Sequence, residues 1–161
     1  MTELSFLRHA HAGDPESWDG PDETRPLSEK GEKQADRLGR FLAGVGFTPD
    51  AIITSPKIRA ARTAEIVSTH LGVPYSVDTR LAGALDLDDL ERLLREAADP
   101  GRPVIVGHDP DFSELVARLV GANRLPLPKG TFARVDVDRP LVPGAGTLRW
   151  FVPPDLLKPA H

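Results

Sequence analysis

An α/β fold, with a mostly parallel sheet flanked by helices on both faces in three layers, is what this sequence predicts. Two observations carry the prediction. Short apolar runs alternate with longer segments whose apolar residues recur at helical spacing, and several of those runs end in polar or cationic residues just before a helix begins. At 161 residues the chain fits one domain, 1–161, long enough to bury a core. No internal repeat or long linker divides it.

"LSFLR" (4–8) is the first strand, followed by "AIITS" (51–55), "YSV" (75–77), "PVIVG" (103–107) and "FARVDV" (132–137). "TLRWFV" (147–152) is expected as an antiparallel partner of the strand before it. Helices are expected over 28–43, 57–71, 87–98 and 110–120. In the first of these Ala35, Leu38, Phe41 and Leu42 form a buried stripe between Lys33, Asp36, Arg37 and Arg40. Ser55-Pro56 and Asp109-Pro110 each read as a polar N-cap followed by an N1 proline. The Pro/Gly-rich stretches at 121–130 and 138–146 read as loops, and "PPDLLKPAH" (153–161) as a loose tail.

Composition excludes several classes of protein. There is no cysteine, hence no disulfide, no thiol chemistry and no zinc site built on sulfur. Twenty basic against 24 acidic side chains leave a formal charge of −4, which disfavours general attraction to nucleic acid or an anionic membrane. No apolar stretch reaches the length of a membrane span, and the N-terminus lacks the basic and apolar regions of a signal peptide, so a cytoplasmic location is expected. An anionic substrate would have to be met by locally clustered cations.

The strand ends suggest where those cations gather. In open α/β sheets the site lies outside the carboxyl ends of the strands. Arg8 and His9, Thr54 and Ser55, and Gly107 and His108 therefore converge although they are far apart in the chain.

Four segments, "FLRHAHAG", "RPLSEKGEKQA" (25–35), "SPKIRAARTAEI" (55–66) and "VIVGHDPDFSELV" (104–116), resemble the successive motifs of the histidine phosphatase superfamily, the RHG-type, phosphoglycerate-mutase-like fold. They occur in that family's order over about two thirds of the chain. RHA in place of RHG, the "RPLS" segment and the short length are most similar to the SixA-type phosphohistidine phosphatases. This resemblance implies a phosphatase with a phosphohistidine intermediate, acting on phosphohistidine carried by a protein such as a phosphotransfer domain.

The chemistry of the residues agrees with that implication. His9 is the candidate nucleophile, its neutral imidazole attacking phosphorus so that one difficult displacement becomes two easier ones. The resemblance implies a backbone carbonyl in the following loop to hold its other nitrogen. Arg8 and Arg59 are the candidate phosphate clamps, because planar guanidinium forks match the oxygens of a transferring phosphoryl group. His108 follows an apolar strand at the family's second histidine position, placed to donate to a phosphoryl oxygen. Arg25 is either a phosphate ligand or a salt bridge that pins its loop. Arg62, one turn beyond Arg59, either reaches the same face or is solvated. The scheme requires no metal and no cofactor.

His11 raises a metal alternative, because His-x-His at the end of a first strand also serves metal-dependent hydrolases. Here His9, His11, Asp14 and His108 make a thin ligand supply, so His11 is expected as a loop residue at the pocket mouth. A second departure concerns the proton. Mutases and phosphomonoesterases of this family carry a glutamate after the third strand, and the corresponding region, "TRLAGALDLDDLERLL" (79–94), offers none before Glu91. Asp86, Asp88 and Asp89 resemble a helix cap, with Asp86 the candidate acid. An imidazole leaving group, with a reference pKa of about 6.5, needs an acid less than an alkoxide does. The missing acid therefore favours phosphohistidine over a phosphoester. A broad phosphomonoesterase acting on small esters and a non-catalytic phospho-ligand module are the alternatives.

Overall fold

Strand β1 (Thr2–Arg8) lies inside a six-stranded sheet of order β3-β2-β4-β1-β5-β6 in the computed structural model, which describes residues 1–159. The others are β2 (Ala51–Thr54), β3 (Tyr75–Val77), β4 (Pro103–Gly107), β5 (Phe132–Val137) and β6 (Thr147–Val152). β3, β2, β4 and β1 pair in parallel, whereas β5 runs against both β1 and β6. The sheet is thus mostly parallel, with β5 alone reversed.

Period-two alternation sends the strand residues to two cores. Leu4 and Phe6 of β1 join Ile53, Ile105 and Val135 beneath α3 (Leu87–Glu96) and α4 (Asp111–Val120). Leu7 faces the other way, with Ile52, Val104, Val106 and Phe132, beneath α1 (Glu29–Gly44) and α2 (Ile58–Leu71). Each helix presents one apolar stripe: Leu87, Leu90, Leu93 and Leu94 of α3 are all buried, as are Leu38 and Leu42 of α1. Truncating one such leucine costs about 2–5 kcal/mol in a well-packed core. No helix among the described residues is long and apolar enough to cross a membrane.

The caps show local chemistry at work and one departure from expectation. Ser28 caps α1 by accepting the Gly31 N–H at 3.1 Å, and Asp86 with Asp89 forms a capping box on α3. Ser55 does not cap α2. That helix begins at Ile58 after Lys57, which offers no side-chain cap, because the Ser55 hydroxyl accepts the Lys57 N–H at 3.2 Å and meets His108 as well. The Asp109 carboxylate does serve the start of α4, taking the Ser113 N–H at 3.0 Å, although the helix itself begins only at Asp111.

Gly31 explains how α1 closes on the sheet. A Cβ there would stand 1.9 Å from the His11 carbonyl oxygen, so only glycine lets the first turn of the helix press on the chain leaving β1. The expected loose tail is instead packed as far as it is described. Pro154–Leu157 forms a 3-10 turn, and Leu157 packs against the core beneath α1 and α2, where its apolar side chain gains more by burial than by solvation. Residues 160 and 161 lie outside the described residues.

Candidate active site

Register builds the site. Arg8 is paired with Gly107 across β1 and β4, so His9 and His108 leave adjacent strand ends together, with ring centroids 5.1 Å apart. Thr54 is paired with Val106 across β2 and β4, which sets Ser55 beside His108. A cavity of about 340 Å³ opens over these strand ends, lined by Arg8, His9, Arg25, Arg59 and His108 together with Lys57, Asp109 and Lys129.

His9 is buried, and its Nδ1 lies 2.7 Å from the Ala10 carbonyl oxygen. A carbonyl can only accept, so Nδ1 carries the proton and Nε2 keeps its lone pair. Burial pushes the His9 pKa down to about 3, and Arg59, Arg8 and Lys129 push in the same direction against the Ala10 hydrogen bond. The imidazole is therefore neutral at neutral pH, as a nucleophile requires. His108 is also lowered to about 3, first by burial and then by His9 and the nearby cations. Its Nε2 is 2.8 Å from Ser55 Oγ. The Ser55 hydroxyl, which accepts the Lys57 N–H, also has a proton to give His108 Nε2, and in that tautomer Nδ1 carries the ring proton.

The two arginines are held from behind. Arg8 Nη1 donates to the Leu127 carbonyl at 2.7 Å and lies 3.3 Å from Asp109 Oδ2. Arg59 Nη1 and Nη2 donate to the Asp22 carbonyl and carboxylate at 2.8 and 2.9 Å. Neither arginine gives its Nε to a protein partner. Arg8 Nε, Arg59 Nε and His108 Nδ1 are buried without a protein partner, and all three belong to side chains that line this cavity. Buried donors are ordinarily satisfied, so three orphans on one pocket describe an oxyanion-binding surface.

The other sequence candidates divide. Arg25 lines the cavity and also pins its loop, with Nη1 donating to the Ala12 and Gly13 carbonyls at 3.0 and 3.2 Å and Nε 3.3 Å from Asp22 Oδ1. Arg62 lies on the exposed face of α2, paired with Glu32 and Glu65. His11 is not at the pocket mouth: its Nδ1 is 2.6 Å from the Ser28 hydroxyl, so it fastens the loop to the start of α1. Asp86 does not line the cavity, because its carboxylate is spent on the Asp89 N–H at the start of α3. After β3 the cavity wall is made by Ala82, Gly83 and Ala84. Among the described residues no three His, Asp or Glu side chains gather into a metal-holding group.

Sequence reasoning set Ser55 at the converging strand ends without its contact to His108, and it missed Asp22 and the pocket lysines. Lys129 is half-buried, its pKa lowered by desolvation and by Arg8, Arg25 and Arg59. Its loop is docked by the Gly130 N–H, which donates to both the Arg8 and His9 carbonyls at 3.1 and 2.9 Å. A neighbouring groove of about 450 Å³ along α4 shares Asp109 and Pro110 with the site, but it is more apolar and holds no histidine.

Comparison with known proteins agrees with this geometry. The model of the histidine phosphatase superfamily (branch 1) matches residues 4–114. An uncharacterized protein of Picosynechococcus sp. is 40% identical over 117 residues, covering 70% of this chain and 69% of that one. The phosphohistidine phosphatase SixA of Escherichia coli strain K12 is 26% identical over 163 residues, covering 98% of both chains. The solved structure of the protein histidine phosphatase SixA complexed with tungstate superposes with a TM-score of 0.85 at 25% identity, over 98% of this chain and all of that one. Of two further curated relatives, this chain spans only 60% and 54% of the length. The chain belongs to the histidine phosphatase superfamily, and phosphatase activity is what that membership supports.

Proposed function

We propose that this protein is a metal-independent phosphohistidine phosphatase acting on a phosphorylated protein, with His9 as nucleophile. The observation that carries the reading is the set of three buried donors without protein partners, Arg8 Nε, Arg59 Nε and His108 Nδ1, beside a neutral His9. A phosphoryl group supplies the oxygens those donors lack. The full-length similarity to SixA, and the tungstate held by its solved relative, support the same reading.

In the first step the His9 Nε2 lone pair forms a bond to phosphorus while the bond from phosphorus to the substrate imidazole breaks. The departing nitrogen keeps the electron pair, and it leaves as neutral imidazole once the other ring nitrogen has taken a proton from solvent, which the near-neutral basicity of the ring allows. Arg8, Arg59 and His108 bear the charge on the phosphoryl oxygens throughout. The Ala10 carbonyl steadies the cationic phospho-His9 through Nδ1–H. In the second step a water oxygen bonds to phosphorus, the P–Nε2 bond breaks, its electron pair returns to His9, and the water protons leave on phosphate. The carboxyl groups that line the cavity, Asp109 and Asp111, are engaged by Ser113 and Arg8 and by the Leu85 N–H, and no glutamate lines it, which suits a leaving group that needs little help from an acid.

The test is phosphate release, in buffer containing EDTA, from a phosphohistidine phosphotransfer protein and from p-nitrophenyl phosphate, comparing wild type with His9→Ala. The expected result is EDTA-resistant release favouring phosphohistidine and a loss on the order of 10⁴-fold or more in the variant. Release from the small ester alone makes the protein a general phosphomonoesterase. An unchanged His9→Ala removes the nucleophile, and activity abolished by EDTA reinstates a metal.

A further inference from the structure

The loop between β1 and α1 carries an acidic side chain that the scheme above does not use. Asp22 bridges two arginines, with Oδ1 3.3 Å from Arg25 Nε and Oδ2 2.9 Å from Arg59 Nη2, while its own carbonyl accepts from Arg59 Nη1 at 2.8 Å. Asp22 is half exposed and does not itself line the cavity, but a carboxylate bound to a phosphate clamp is an anion that competes for the same donors.

The atoms it uses resolve the conflict. A guanidinium offers one fork made by its two terminal nitrogens and another made by Nε with a terminal nitrogen. Asp22 closes the first fork of Arg59 with two oxygens of a single residue. The second fork keeps its Nε–H, buried and without a protein partner, on a residue that is 5% exposed and lines the cavity. A competitor would have closed the Nε fork as well. Desolvation pushes the Asp22 carboxyl upward, but Arg59 and Arg25 outweigh it and hold the group below the usual carboxylate range, so the bridge stays ionised.

We propose that Asp22 is a positioning residue: it turns the Nε fork of Arg59 onto the phosphoryl oxygens and, through Arg25, fastens the 9–28 loop beside them. The proposal rests on the reading of this pocket as a phosphoryl site. The contact joins residues 37 apart in sequence, and with the Ala10 N–H to Thr63 bond it registers the loop against the start of α2. Arg25, which also holds the Ala12 and Gly13 carbonyls, extends the brace to the chain just beyond His9. The gain is in preorganisation: a clamp already aimed needs no reorientation as charge develops, whereas a displacement of about 1 Å can cost roughly 10²-fold in rate.

The experiment measures tungstate and inorganic phosphate binding by calorimetry, and kcat and KM on p-nitrophenyl phosphate. The proteins are wild type, Asp22→Ala, Asp22→Asn, Arg59→Lys and the double variant Asp22→Ala/Arg59→Lys, with melting temperatures confirming that each folds. Asp22→Ala is expected to weaken tungstate binding and to lower kcat by roughly tenfold to 10²-fold. Asp22→Asn, which keeps the backbone contact and an amide oxygen, falls between it and wild type. In the Arg59→Lys background Asp22→Ala adds nothing further, because an ammonium has no fork to aim. Tighter tungstate binding or faster turnover in Asp22→Ala would mark the carboxylate as a competitor and overturn the proposal. An equal loss in both backgrounds would overturn it as well. A His9→Ala protein as active as wild type would instead sink the catalytic reading, while tungstate binding would still report on Asp22.

Discussion

Arg59 and Arg139 are both arginines held by carboxylates, and the difference between them separates a site from a strut. Arg139, in the β5–β6 loop, grips Glu91 of α3 through Nε at 2.9 Å and through Nη2, and Nη2 also reaches Asp99 at 3.1 Å. The same carboxylate accepts the Leu141 N–H at 2.8 Å, so this cluster closes on itself and ties a loop to a helix. Arg59 makes as good a contact with Asp22 and yet retains a buried, unpartnered Nε beside Arg8 Nε and His108 Nδ1. A closed network stabilises the fold, whereas a network with donors left over on side chains that line a cavity has them to offer a ligand.

The sharpest test of that distinction is Arg8→Ala. Removing one oxyanion donor is expected to lower kcat by about 10²–10³-fold with little change in melting temperature, since Asp109 keeps its bonds from Ser113. A melting temperature that falls while activity persists would make Arg8 a strut and break the comparison. Arg139→Ala is the converse. It leaves Glu91 without its main partner at 13% exposure, for which a stability loss of about 2 kcal/mol is expected, below the range for fully buried pairs because Arg139 is itself 17% exposed. Urea denaturation measures the loss, and kcat on p-nitrophenyl phosphate should not move.

Acidity reaches the site before the strut, because the histidine effect begins below pH 6.5 whereas Glu91, held low by Arg139, contributes only below its ordinary value of 4.5. His9 and His108 have folded pKa values of about 3 against a reference of 6.5, so above pH 6.5 both are neutral whether the chain is folded or not. Between 6.5 and 3 the unfolded chain takes up protons that the folded one refuses. Stability therefore drops as pH falls through that window and levels off below it. Urea midpoints at a series of pH values should show this slope, reduced in His9→Ala, and the pH profile of kcat/KM should carry no histidine inflection near 6.5. The smallest effect is expected for Arg62→Ala. Its exposed ion pairs with Glu32 and Glu65 predict a stability change within about 1 kcal/mol and unchanged turnover.

Most strands and helices were legible because their signals are local. β3, β4, β5 and β6 have the bounds the apolar runs predict, and Gly72 ends α2 in the left-handed conformation that glycine favours. The misses occur where a distant partner decides. β1 begins two residues early because Thr2 and Glu3 pair with Val137 and Asp136 of β5, which an apolar-run criterion does not register. α3 stops at Glu96 instead of 98, and Ala98 and Asp99 turn to positive φ values of 68° and 49°. In the site, the sequence placed Arg8, His9, Arg59 and His108 at strand and helix ends, and the fold brings them to one cavity. It gave no sign that His11 belongs to the Ser28 cap or that Asp22 is drawn to Arg59.

Read alone, then, the chain specifies its alternation of strands and helices, the polar residues that end the strands, and a family resemblance strong enough to imply a histidine nucleophile. Those properties depend on neighbours within a few residues, where backbone preference and apolar periodicity act. Which donors are used up and which are left free was decided only by packing: Asp22 reaches Arg59 across 37 residues and Ser55 reaches His108 across 53. Asp86 is the local counterpart: its carboxylate takes the Asp89 N–H at 2.8 Å three residues on, a cap already legible in the sequence, because a donor that close along the chain needs no distant partner to present it.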